Sequence, residues 1–297
     1  MVQQFDFRRL EIRFSRAQHA PHLRERALDL IEAIDEENST SALESIIVSD
    51  PALAARVLAA SKALPIGPHD RSYTTVHGAI LRLGTRAVRN IAISMSVQGF
   101  LERLPDGPCF RTIRFASHSL FVGCMAAHVL EQGLHHERFG SLWSPDELLA
   151  AGVIHELPVA TLWMLAPDEF SALVEHVQHR GTSLSAAFEA AYGVPMWRLG
   201  VKLLESWALS PDFAEVMRKL EAPWDHPDCD PAIYALHYAD LIARMAGFRV
   251  GIWDLVAEPR NDVVAKVGLP GEVLESSIAA ITHLVKVQYR KIAADAA

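Results

Sequence analysis

Residues 144–158, SPDELLAAGVIHELP, decide how the rest of the chain is read. Pro145 follows Ser144 directly, and proline suits a first helical position because its missing N–H would be unpaired there anyway. Ser144 and Glu147 have the spacing of a capping box, in which each side chain satisfies a backbone N–H of the first turn. The segment stays apolar from Leu148 to Ile154, then ends on His155 and Glu156. Two polar, metal-competent side chains thus close a helix built for a core.

The same punctuation recurs outward from this stretch. Asp50-Pro51, Ser210-Pro211 and Asp230-Pro231 repeat the cap-and-proline start, Pro167 and Pro195 mark further starts with weaker caps, and Gly181, Gly193 and Gly247 are placed as left-handed stops. Between these marks apolar residues recur every three to four positions. Leu53, Val57 and Leu58 form one such set, and Ile233, Leu236, Leu241 and Met245 another. Leu274, Ile278, Ile281, Val285, Gln288 and Ile292 form a third, in the last segment. No alternating run bounded by hairpin turns appears. The expected fold is all-α, with two packed helical bundles: residues 1–105, and residues 106–297 with a C-terminal helical extension. The seam is expected near Pro105–Phe110, and loops at Pro65–Ser72, Pro105–Pro108, around Gly140 and at Ala222–Asp230.

Composition narrows the function classes. Of 297 residues, 50% are hydrophobic and 22% charged, the balance of a globular chain rather than a disordered or fibrous one. The formal net charge of −8 gives no global basic footprint for nucleic acid or anionic membrane. Arg82, Arg86 and Arg89 form the one basic cluster of note, and Gly84-Thr85 is expected to divide it by ending one helix and starting the next. The three cysteines are scattered without a CxxC, as in a reducing compartment. Charges throughout the first sixteen residues preclude a secretory apolar region, and no run of eighteen uncharged apolar residues occurs. A cytoplasmic location is expected.

The residues able to carry chemistry are His118 in FASHSLFV, His155-Glu156 at the close of the quoted helix, and Asp240 in YADLIAR. Imidazole nitrogens and carboxylate oxygens brought together from separate helices suit a divalent ion. Residues alone leave two readings open, a metal site or a buried polar cluster in which Asp240 bonds a histidine. His237 shares a helical face with Asp240 and is expected at the surface; the His135-His136 pair is read as a helix end or loop.

In this order the motifs resemble the HD superfamily, helical proteins that bind metal and often hydrolyse phosphate esters. Three further stretches, IIVSDPALAARVLAASKAL (46–64), TTVHGAILRLGTRAVRNIAI (74–93) and YGVPMWRLGVKLLESWALS (192–210), resemble its HDOD branch, the HD-related output domain of bacterial signalling proteins. The resemblance spans roughly Ile31 to Met245. It implies an HD-like second bundle and a metal site formed by His118, His155, Glu156 and Asp240, holding at most one iron, manganese or zinc ion.

The chain also departs from the catalytic pattern. Glu156 stands where the superfamily has Asp, and Leu157-Pro158-Val159-Ala160 replaces the stretch with the catalytic lysine. Trp197 replaces a ligand histidine and is expected to fill the former substrate pocket. Arg218-Lys219-Leu220 stands where a His-His pair belongs. The resemblance therefore implies a non-catalytic regulatory protein that binds a partner protein or a small signalling ligand. The alternative is a mononuclear phosphohydrolase acting on a nucleotide or cyclic dinucleotide. Neither nucleic acid nor membrane is an expected partner. The Leu274–Ile292 seam is either a helix packed on the core or a homodimer face.

Overall fold

A computed structural model describes residues 3–16, 25–63, 75–101, 104–132, 143–207, 209 and 211–295. The expected loops at Pro65–Ser72 and around Gly140, the His135-His136 pair, Thr74 and the Ser210 cap lie outside these residues, as do the side chains of Gln288 and Ile292. Among the described residues every regular element is helical and no strand occurs, so the fold is all-α.

The chain divides into two compact units, residues 21–103 and residues 1–20 with 104–297. The first contains α2 (Glu25–Asp35), α3 (Thr40–Ser49), α4 (Pro51–Ala63), α5 (Val76–Leu83) and α6 (Thr85–Leu101). Its starts follow the expected cap chemistry. Asp50 Oδ1 accepts from Ala52 N at 2.9 Å and Leu53 N at 3.1 Å, and Ser39 Oγ accepts from Ala42 N at 3.3 Å. Gly84, at φ 79°, separates α5 from α6 and so divides the arginine cluster. Arg89 then grips Asp35 of α2 through two bonds of 3.0 and 3.2 Å. Leu30, Ile31, Leu43, Ile47, Leu53, Val57, Ile80, Val88 and Ile93 are buried as this unit's core. Each such side chain contributes about 1.5–3 kcal/mol on leaving water.

The second unit holds α1 (Phe7–Arg16), α7 (Thr112–Gln132), α8 (Pro145–Ile154), α9 (Leu157–Leu165), α10 (Pro167–Arg180), α11 (Leu184–Tyr192), α12 (Trp197–Ser206), α13 (Pro211–Lys219), α14 (Pro231–Met245), α15 (Asn261–Val267) and α16 (Gly271–Asp295). A 3₁₀ turn, Pro223–Asp225, lies in the Ala222–Asp230 connection. The sequence grouped residues 1–105 together; in the structure residues 1–20 group with this unit. Phe5 N donates to Ala191 O at 2.9 Å, Phe7 meets Phe188 edge to face, and Arg13 pairs with Glu169 at 2.7 Å.

The Ser144–Glu147 capping box is formed, and Asp230 caps α14 through Ala232 N at 2.8 Å. Gly181 and Gly193 end α10 and α11 in the left-handed conformation. Helix α12 begins at Trp197, two residues after the proline expected to start it. On α16, Val285 of the expected seam is buried, and Ser277 Oγ lies 2.7 Å from His128 Nε2 of α7. Met245, a candidate core residue of α14, is instead 51% exposed, because that helix emerges at its last turn.

Thr112–Gln132 and Pro145–Leu165 are long and apolar enough to cross a membrane by length and composition. In this fold they form the centre of the unit, α7 lying against α8, and the second stretch is broken between α8 and α9 at His155-Glu156. Around them Phe110 stacks on Trp163 at 5.7 Å, and Phe170 meets Trp163 and Trp253 edge to face. The Trp163 Nε1–H donates to Pro105 O at 2.8 Å.

Candidate metal centre

Two glycines set the distance between the helices that carry the histidines. A methyl group added at Gly152 would collide with the Gly123 backbone, and one at Gly123 would lie 2.6 Å from Leu149 O. Helices α7 and α8 therefore touch backbone to backbone. His118 lies on the buried face of α7, and His155, one residue past the end of α8, is the C-cap. The His155 Nδ1–H donates to Gly152 O at 2.7 Å, using a carbonyl left open where the helix stops. Glu156 follows as the N-cap of α9, and Asp240 comes from α14, which is buried from Ala232 to Ala243.

All four residues named from the sequence converge, each offering a ligand atom within 4.8 Å of the others. The His118 Nδ1–H donates to Phe248 O at 2.7 Å. Because carbonyls only accept, both imidazoles carry their proton on Nδ1 and, when neutral, turn an Nε2 lone pair inward. Those Nε2 atoms are 3.3 Å apart, and Asp240 Oδ1 lies 3.2 Å from one and 3.8 Å from the other. Three acceptors thus face one another around a point that holds no donor in the neutral state, and Asp240 Oδ1 has no hydrogen-bond partner among the described residues. A cation at that point resolves the conflict. With metal–ligand bonds of about 2.1 Å, ligand edges of roughly 3–3.5 Å follow, and the pairing of each ligand imidazole with a backbone carbonyl is the usual orienting arrangement. The donor set fits one divalent ion such as iron, manganese or zinc.

Charge surrounds this point. Burial alone would lower the His118 pKa; the Asp240 carboxylate beside it and the charges of Glu156 and Asp254 outweigh this and hold the imidazole above its usual range. Burial alone would raise Asp240, yet the Arg244 charge and the two imidazoles hold it well below the usual carboxylate range. Burial raises Glu156, with His155 and Arg244 opposing.

Arg244 carried no role in the sequence reading, although its i+4 spacing from Asp240 on one helix was a usable signal. Its Nη2 donates to Asp240 Oδ2 at 2.6 Å and lies 3.6 Å from Glu156 Oε1; its Nε is 2.7 Å from Asp254 Oδ1. Asp254 also accepts from Val250 N at 3.0 Å. The guanidinium therefore ties α14, the α8–α9 junction and the loop after α14 into one cluster, and occupies the Asp240 oxygen turned away from the histidines.

A cavity of about 300 Å3 opens onto His155, Glu156, Asp240 and Arg244. Trp197 was expected to fill it; the indole is half-buried and forms one wall, stacked under Arg218 at 5.6 Å, so the cavity stays open. Leu220, from the stretch lacking the His-His pair, and Met217 just before that stretch form another wall. His237 was expected at the surface; it is buried against the cavity, with its Nδ1–H donating to Leu220 O at 2.9 Å. Its helix is buried from Ala232 to Ala243, so the i+3 relation to Asp240 turns it inward.

An all-α unit with a His–His–Glu–Asp cluster in its core defines an HD-like protein. The family model for the HDOD domain matches residues 20–223, and the chain belongs to that family. No curated protein matches. Among solved structures, the chain is similar to an HDOD domain protein from Geobacter sulfurreducens, with a TM-score of 0.66 and 18% identity over 93% of this chain and 97% of that one. It is also similar to a candidate signal transduction protein from Marinobacter aquaeolei, with a TM-score of 0.64 and 18% identity over 90% of this chain and 58% of that one. A candidate metal-dependent phosphohydrolase from Shewanella amazonensis gives a TM-score of 0.61 and 18% identity over 91% and 92%. These likenesses establish the shared fold.

Proposed function

We propose that this HDOD protein is a cytoplasmic bacterial regulator whose HD-like site holds one divalent ion for structure and does not turn over substrate, while the adjoining cavity receives a small signalling ligand or a segment of a partner protein. The observation that carries this reading is Arg244. Its guanidinium already neutralises Asp240 Oδ2 and stands beside Glu156, so a second cation there would be repelled. The walls at Trp197, Met217 and Leu220 offer neither imidazole nor carboxylate to bind one. A single ion next to a fixed arginine is a way to hold four helical segments together. The Marinobacter relative, a candidate signal transduction protein, supports the regulatory assignment.

The test is hydrolysis. Protein loaded with iron, manganese or zinc is incubated with bis-p-nitrophenyl phosphate and with cyclic dinucleotides, beside the His155→Ala variant. The expected outcome is metal-dependent stabilisation without turnover. Hydrolysis that disappears in His155→Ala would overturn the reading in favour of a mononuclear phosphohydrolase. One observation favours that second reading, the open cavity beside Glu156 and Asp240. There the ion would supply an acidic water, and Glu156 is the carboxylate placed to handle a proton.

A further inference from the structure

A second cavity of about 400 Å3 lies in the same unit, between the start of α7 and the loop after α14. Its walls are Ile113, Arg114 and Ser117 from the helix, with Phe248, Arg249 and Ile252 from the loop. No lining residue is acidic, so the cavity carries two positive charges within a chain of net charge −8.

Arginines of this unit are commonly paired: Arg13 with Glu169, Arg111 with Asp106, Arg244 with Asp240, Arg260 with Asp262. Arg114 and Arg249 form no ion pair among the described residues, and the Arg249 Nε is buried without a hydrogen-bond partner. The guanidinium fork matches the two oxygens of a phosphate or carboxylate, and both arginines line this one cavity. Ile113, Phe248 and Ile252 give the same cavity an apolar wall.

We infer that this cavity is a binding site for a small ligand that joins an oxyanion, phosphate or carboxylate, to an apolar body. Arg114 and Arg249 bind the oxyanion, and Ile113, Phe248 and Ile252 cover the body. The cavity shares no lining residue with the four metal-competent side chains, although the Phe248 carbonyl also holds His118, and the inference does not rest on the regulatory reading.

The probes are inorganic phosphate, phenyl phosphate and benzoate, added to the full chain against potassium chloride of equal ionic strength, with melting temperature and calorimetric binding measured. Phenyl phosphate or benzoate is expected to bind and to raise the melting temperature. Whichever of the two binds more tightly identifies the oxyanion, and phenyl phosphate is expected to exceed inorganic phosphate because of the apolar wall. Arg114→Ala, which changes an exposed side chain and keeps the fold, is expected to weaken binding roughly tenfold, the scale of one charge-assisted hydrogen bond. Arg249→Lys is expected to retain part of the affinity that Arg249→Ala loses. The inference is overturned if none of the probes binds, or if Arg114→Ala binds as tightly as the parent chain, which would place the anion at the metal centre.

Discussion

The Nε2 atoms of His118 and His155 lie 3.3 Å apart, each imidazole held by its Nδ1–H on a different backbone carbonyl, Phe248 O and Gly152 O. Neither ring can turn its proton toward the other without abandoning a 2.7 Å bond. The lone pairs are thus set against each other by the fold, and a cation bound between them would recover the energy of that arrangement.

Protein purified without chelator or affinity metal is accordingly expected to contain about one iron, manganese or zinc ion per chain. Plasma mass spectrometry should show the metal lost in both His118→Ala and His155→Ala. Chelation of the parent chain should lower its melting temperature, because an ion that binds only the folded state stabilises it by mass action.

Gly152→Ala tests the helix contact. The added methyl has no room against the Gly123 backbone, so α7 and α8 must separate. A loss of about 1–3 kcal/mol in denaturant unfolding is expected, the usual range for overpacking a core. Metal content should fall with it, since the same contact sets the distance between the histidines.

Arg244→Met removes the countercharge of Asp240 and Asp254, side chains only 9% and 5% exposed. Stability should drop by about 3 kcal/mol in urea or guanidinium titrations, the low end for breaking a buried pair because the arginine is itself 21% exposed. The companion variant Arg244→Met with Asp254→Asn should recover part of the loss, since one buried charge then no longer lacks a partner.

His237 predicts a dependence on pH. Burial lowers its pKa from the ordinary value, with the bond to Leu220 O opposing. The folded chain then binds fewer protons at this site than the unfolded chain. Its contribution to stability is present above the ordinary imidazole pKa of about 6.5 and is lost as pH falls through the lower folded value. Denaturant titrations from pH 7.5 downward should show a steeper decline for the parent chain than for His237→Phe.

Much of this was legible in the residues. Cap chemistry is local: Asp50, Ser144 and Asp230 each satisfy N–H groups two or three residues ahead, so their roles follow from neighbours alone. The order His118, His155-Glu156, Asp240 likewise survives in the sequence, and the structure brings those four together. The misplaced residues were those whose environment depends on other helices. His237 reads as a surface residue until α14 is seen to be buried from Ala232 to Ala243, and Trp197 reads as a plug until its ring is seen to form a wall.

The sequence by itself determined that the chain is helical, where the capped helices start and which four side chains carry the chemistry, because helix pattern and caps follow from contacts within a few residues along the chain. Tertiary structure alone decided that Gly152 would meet Gly123, that Arg244 would stand beside Glu156 as well as Asp240, and that Phe248, 130 residues from His118, would fix which imidazole nitrogen carries the proton. Lone pairs and charges acquire their direction only from neighbours in space, and for this centre most of those neighbours are far away along the chain.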